Sequence, residues 1–112
     1  MADLLYNNMI EGIVLTLKKM VPVNEPGTME QYKTMPLKDW DKFKGQIDAV
    51  KNYVPASGKL NKLMEYFNET LYPLLNSGKI MKMGLMKKAY GVRVDDYDFR
   101  QMLSKIDTLM QF

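Results

Sequence analysis

Apolar side chains recur every three or four residues along four stretches of the chain, and this spacing predicts amphipathic α-helices. The helices are expected over 3–20, 36–53, 59–75 and 96–112. Their apolar faces supply the predicted core, which consists of Leu5, Tyr6, Met9, Ile10, Ile13, Val14, Leu17, Met20, Leu37, Trp40, Phe43, Ile47, Val50, Val54, Leu60, Leu63, Met64, Phe67, Leu71, Leu74, Leu75, Phe99, Met102, Leu103, Ile106, Leu109 and Met110.

Prolines and glycines divide these stretches. Two prolines and a glycine predict a loop over 21–27, because proline cannot donate the backbone hydrogen bond that a helix interior needs. The residues that follow, 28–33, fit a short helical turn. Pro36 stands at the favoured first position of the second helix, and Pro73 predicts a kink or a stop in the third.

The segment 79–94 fits two structures. Its apolar spacing over 80–90 favours a helix, whereas short strands at 79–83 and 90–94 would form a hairpin. With the helix preferred, the chain is predicted to be all-α, a compact bundle of four to five helices in a single domain over 1–112. A small β-hairpin around 79–94 is the alternative.

The residue types exclude much chemistry. The chain has no cysteine and no histidine, so disulfides, zinc fingers, thiol catalysis and histidine general bases are ruled out. The glycines form no phosphate-binding loop. Asp95, Asp96 and Asp98 are interpreted as the capped start of the last helix, since their spacing lacks the further ligands of a calcium loop. We therefore expect no enzymatic activity, no metal and no cofactor.

The chain is expected to work in the cytoplasm and away from membranes. No stretch approaches the roughly 18 consecutive apolar residues of a membrane span, and the first residues lack the basic start of a signal peptide.

The charge is unevenly distributed. The formal net charge is +3, yet the segment 79–93 alone carries five cations and no acid. Cations clustered beside an aromatic side chain fit contact with a nucleic-acid backbone, where each lysine displaces counterions and the ring can stack on a base. The predicted nucleic-acid-binding residues are Lys79, Lys82, Lys87, Lys88, Tyr90 and Arg93.

The second helix also carries many charges, but their signs alternate. Lys38 can pair with Asp41, and Lys44 with Asp48, along one face of the helix. This pattern is typical of a solvated surface, and no function is assigned to it.

Two other interpretations remain. A DNA-reading helix-turn-helix over 85–103 is disfavoured, because acids occupy the start of the would-be recognition helix. A protein-interaction module, such as an adaptor, an inhibitor of a larger enzyme or an assembly subunit, would use an exposed surface of the eleven methionines and the aromatic residues. The oligomeric state is open.

Overall fold

The structure, a computed structural model, describes residues 2–83 and 87–110. Its α-helices are α1 (Ala2–Lys18), α2 (Leu37–Lys51), α3 (Asn61–Tyr66), α4 (Tyr72–Leu75) and α5 (Asp96–Met110). Its strands are β1 (Val21–Asn24), β2 (Gln31–Pro36), β3 (Lys79–Lys82) and β4 (Lys88–Arg93). A 3-10 turn (Gly58–Leu60) precedes α3, and a π-helical turn (Phe67–Leu71) joins α3 and α4 into one continuous helix.

The fold is α+β, so the prediction of an all-α helical bundle is wrong. The four strands form one antiparallel sheet in the order β1-β2-β4-β3. The hairpin weighed as the alternative around 79–94 is present as β3 and β4. A second hairpin, β1 and β2, stands where a loop over 21–27 and a helical turn over 28–33 were predicted.

The β1–β2 hairpin forms because Pro26 and Gly27 suit a tight turn, and because Pro22 is tolerated on an edge strand. The Thr28 amide donates to the Glu25 carbonyl at 3.1 Å, with Pro26 and Gly27 between them. Gly27 has a φ of 79°, and proline followed by such a glycine is the arrangement of a type II turn. Pro22 lies on β1, an edge strand, where a missing amide breaks no inner ladder.

The predicted helices are confirmed as α1, α2, the continuous α3–α4 helix and α5. The last two residues of the predicted fourth helix, 111–112, lie outside the described residues. Nearly all the predicted core side chains are buried in one hydrophobic cluster or packed against it. The exceptions are Leu5, which is 52% exposed, and Val54, which is 77% exposed because α2 ends at Lys51. At Pro73 the helix does not stop. The π-helical turn directly before it accommodates the disturbed hydrogen bonding.

The sheet has one face against the helices. Met35 on β2 and Tyr90 and Val92 on β4 belong to the same core cluster as the helix side chains. Because side chains alternate along a strand, Thr34, Ala89 and the other intervening residues lie on the opposite face. Among the described residues, none of the helices is both long and apolar enough to cross a membrane.

Candidate functional site

The β3–β4 hairpin separates the cations of the predicted nucleic-acid-binding segment, 79–93, from one another. The antiparallel register places Lys82 opposite Lys88 at the end near the hairpin turn, while Lys79 pairs with Gly91 toward the other end. Arg93, the last residue of β4, also lies at that other end. The five cations of the segment 79–93 therefore form two separate groups.

Lys79 and Arg93 are engaged in ion pairs. Lys79 Nζ lies 2.9 Å from Glu25 Oε1 and 5.0 Å from the centre of the Tyr32 ring. Arg93 Nη2 lies 3.1 Å from Glu30 Oε1. The hydrogen bond to Lys79 lowers the pKa of Glu25, and the same bond raises the pKa of Lys79, so both partners are charged at neutral pH. This end of the hairpin is close to electrically neutral.

Tyr90 is part of the core. Its side chain is 5% exposed, and its ring stacks on Trp40 with centroids 3.6 Å apart and planes inclined by 5°. The hydroxyl donates to the Leu75 carbonyl at 2.7 Å and accepts from the Gly78 amide at 2.7 Å. Burial raises the pKa of this phenol. The role predicted for Tyr90, stacking on a nucleic-acid base, needs an exposed ring, whereas this ring faces the helices.

Lys82, Lys87 and Lys88 are exposed, and none of them forms an ion pair with another described residue. The last two line a groove of about 640 Å³ at the point where β2 runs directly into α2. The other residues that line it are Val21, Thr34, Met35, Pro36, Leu37, Lys38, Met83 and Ala89. This first groove is therefore apolar inside and carries lysines at its rim.

A second, smaller groove of about 250 Å³ shares Met35 and Pro36 with the first. Two more lysines, Lys19 and Lys42, line it, together with Asp39. We name the combined region the basic surface. Its lysines are Lys19, Lys38, Lys42, Lys82, Lys87 and Lys88.

The lysines of the basic surface come from three separate parts of the chain: the turn after α1, the first half of α2, and the β3–β4 hairpin. Over residues 2–83 and 87–110, the structure shows no ion pair for any of the six. Six lysines and one lining aspartate give this region more positive charge than the +3 of the whole chain. Such a surface attracts polyanions.

Sequence reasoning missed Lys19, Lys38 and Lys42. The charges of α2 were interpreted as mutually paired, yet Lys44 with Asp48 at 3.5 Å is the pair found along that helix in the described residues. Lys38 and Lys42 are four residues apart and so share a helix face, which was the available signal. Their meeting with Lys87 and Lys88 depends on tertiary structure.

The acids near α5 have structural roles. Asp95 Oδ1 accepts from the Asp98 amide at 2.7 Å, which confirms the predicted helix cap. Asp96 binds Lys33 and Arg100, each at 2.8 Å. Within the described part of the chain, no group of three or more acidic side chains is placed to hold a metal ion.

The described methionines, on which the alternative interpretation depends, are mostly buried or partly buried. Met20, Met35, Met81 and Met102 are buried, and among the described methionines Met29 is the one with a largely exposed side chain.

Comparison of the chain with protein-family models, with curated protein sequences and with solved structures finds no match.

Proposed function

We propose that the protein is a non-catalytic binding protein that contacts the phosphate backbone of nucleic acid through the basic surface. The observation that supports this function best is the meeting of six lysines without acidic partners from three separate segments. The proposal needs no cofactor, and it places the protein in the cytoplasm, in reach of RNA or DNA.

The hairpin itself favours an anionic ligand. Lys82 and Lys88 stand directly opposite each other in the β3–β4 register. Like charges in that position destabilise an antiparallel pair, and a phosphate between them would relieve the repulsion. At the other end of the hairpin, Lys79 is instead paired with the carboxylate of Glu25.

Contact with the phosphate backbone predicts how the affinity should depend on salt concentration and on nucleotide sequence. Each lysine that meets a phosphate releases counterions, so about four contacts give a log–log salt slope of roughly −3 to −4. Lysine contacts to phosphate carry little sequence information, so oligonucleotides of different sequence should bind with similar affinity.

The test is fluorescence anisotropy of labelled oligonucleotides at low and moderate salt. Lys87→Ala/Lys88→Ala should weaken binding and reduce the salt slope by about 2, since two phosphate contacts are lost. The matched control is Lys59→Ala/Lys62→Ala, which removes the same charge from exposed positions outside both grooves. Equal effects of the two double variants would reject a localised site, and no binding at low salt would reject the function.

A protein-interaction function is the second candidate, and one observation favours it. Leu15 on α1 is 60% exposed and lines a groove of about 550 Å³ between α1 and α5. Exposed apolar side chains beside a groove are typical of protein contacts. In that case the affinity for the protein partner should depend weakly on salt. Leu15→Asn should lower this affinity more than Lys87→Ala/Lys88→Ala does.

A further inference from the structure

The first groove of the basic surface has an apolar interior. Met35 and Ala89, which are buried, line it together with Val21, Pro36 and Leu37. Thr34 contributes little polarity, because its hydroxyl already donates to the Val21 carbonyl at 3.0 Å. At about 640 Å³, the groove lies within the range of about 300–1,000 Å³ that small-molecule sites occupy.

Lysines stand beside these apolar walls. Lys38, Lys87 and Lys88 line the same groove, and Lys82 is the cross-strand neighbour of Lys88. A phosphate backbone alone needs only the lysines, and a flat surface would serve it. An apolar recess among the lysines suits a ligand with an apolar planar part attached to a chain of negative charges.

We propose that the first groove receives an unstacked nucleobase, and that the basic surface therefore prefers single-stranded nucleic acid to duplex. This inference rests on the proposed backbone-binding function. In a duplex the base faces are stacked inside and only phosphates and groove edges reach a protein surface. In a single strand a base can turn outward and bury its face, while the neighbouring phosphates meet the lysines.

The groove does not select one base over another. Its interior offers aliphatic contacts, and the polar hydrogen of Thr34 is used within the sheet. Every base has an apolar face, so such a pocket tolerates all sequences. Lipid fits the site less well. A fatty acid brings one charge to several unpaired lysines, and a flat membrane does not reach buried side chains such as Met35 and Ala89.

The test compares three labelled probes that carry equal numbers of phosphates: oligothymidylate, a fully abasic strand and a short duplex. Val21→Asn makes the apolar wall polar, and it should preserve the fold because Val21 is 56% exposed on an edge strand. Val54→Asn is the matched control, since Val54 is 77% exposed and lies outside the groove. Val21→Thr is a milder second variant that retains strand propensity.

The inference predicts that oligothymidylate binds about 3- to 10-fold more tightly than the abasic strand and the duplex. Val21→Asn should reduce this preference, Val54→Asn should not, and Lys87→Ala/Lys88→Ala should weaken binding of all three probes. Equal binding of the three probes, still sensitive to the lysine substitutions, would overturn the groove assignment and leave backbone binding intact. Binding of none would reject both. Binding to anionic phospholipid vesicles that Val21→Asn weakens, without an effect on oligothymidylate, would assign the groove to lipid instead.

Discussion

Trp40 on α2 and Tyr90 on β4 stack face to face, with ring centroids 3.6 Å apart and planes inclined by 5°. The stack joins a helix and a strand that are distant in sequence, and each element carries lysines of the basic surface. Lys38 and Lys42 flank Trp40 along α2, and Lys88 lies two residues from Tyr90. The stack therefore fixes α2 against β4, the two elements that carry these lysines.

Tyr90→Phe should destabilise the protein by about 1–3 kcal/mol. The ring stack would persist, but the Leu75 carbonyl and the Gly78 amide would each lose a hydrogen bond of 2.7 Å in a buried position. Urea unfolding followed by the fluorescence of Trp40, the single tryptophan, measures the change. An unchanged unfolding midpoint would show that water replaces both bonds.

Tyr6→Phe, in contrast, should increase the free energy of unfolding. Tyr6 is fully buried, and its hydroxyl has no hydrogen-bond partner among the described residues. Removing an unsatisfied buried hydroxyl should stabilise the fold by about 1 kcal/mol, with the ring contact to Tyr53 retained. A lower urea midpoint for this variant would contradict the assignment of an unpaired hydroxyl.

Alkaline pH gives a second test of Tyr6. Burial raises the pKa of its phenol to about 12 from an ordinary 10.0. The unfolded chain then releases this proton at lower pH than the folded chain does. Stability is fully present below pH 10 and is lost as the pH rises toward 12. Between pH 10 and pH 12, urea unfolding should show that the free energy of unfolding falls more steeply for the wild type than for Tyr6→Phe. Parallel curves for the two proteins would contradict a raised pKa of Tyr6.

Two glycines should differ sharply in their tolerance of alanine. A Cβ on Gly78 would lie 2.4 Å from Tyr90 Cζ and 2.5 Å from the Gly91 carbonyl oxygen. A Cβ on Gly91 would meet Met81 Sδ at 2.3 Å, but that atom is near the end of a flexible side chain. Gly78→Ala should cost about 2–3 kcal/mol and Gly91→Ala less. Thermal unfolding of the two variants side by side decides the order, and the reverse order would refute it.

Asp96 should make stability sensitive to acid. Its carboxylate binds Lys33 Nζ, whose side chain is 7% exposed, and also Arg100. The hydrogen bond from Lys33 holds the pKa of Asp96 below its ordinary 3.8. Because the folded pKa is depressed, this contribution is present above pH 4 and is lost as the pH falls through the folded pKa.

Asp96→Asn should therefore lower the urea midpoint at pH 7, and its difference from the wild type should narrow in acid. Lys33→Met is the control. It keeps an apolar stem near the Phe99 ring, which lies 5.0 Å from the ammonium, and leaves no buried charge unpaired. It should destabilise less than Asp96→Asn at pH 7. A difference for Asp96→Asn that stays constant from pH 7 to pH 3 would contradict the ion-pair account.

The helices were predictable because their signals are local. The faces of α1, α2 and α5 repeat apolar residues at the helical period, and the cap at Asp95 needs only residues up to Asp98. The strands β1 and β2 were missed. By local rules Pro22 and Pro26 predict a loop, whereas Pro22 lies at a sheet edge and Pro26 in a turn.

The sequence by itself determined the helical segments, most of the core side chains and the excess of positive charge in the hairpin segment. Only the tertiary structure decided that β2 pairs with β4, whose residues Thr34 and Gly91 are opposite each other although far apart in the chain. That pairing buried Tyr90 and brought Lys38 beside the hairpin, while the β3–β4 register separated Lys79 from Lys88. The physical reason is that helix hydrogen bonds join residues four apart, while sheet hydrogen bonds join partners that sequence periodicity cannot identify.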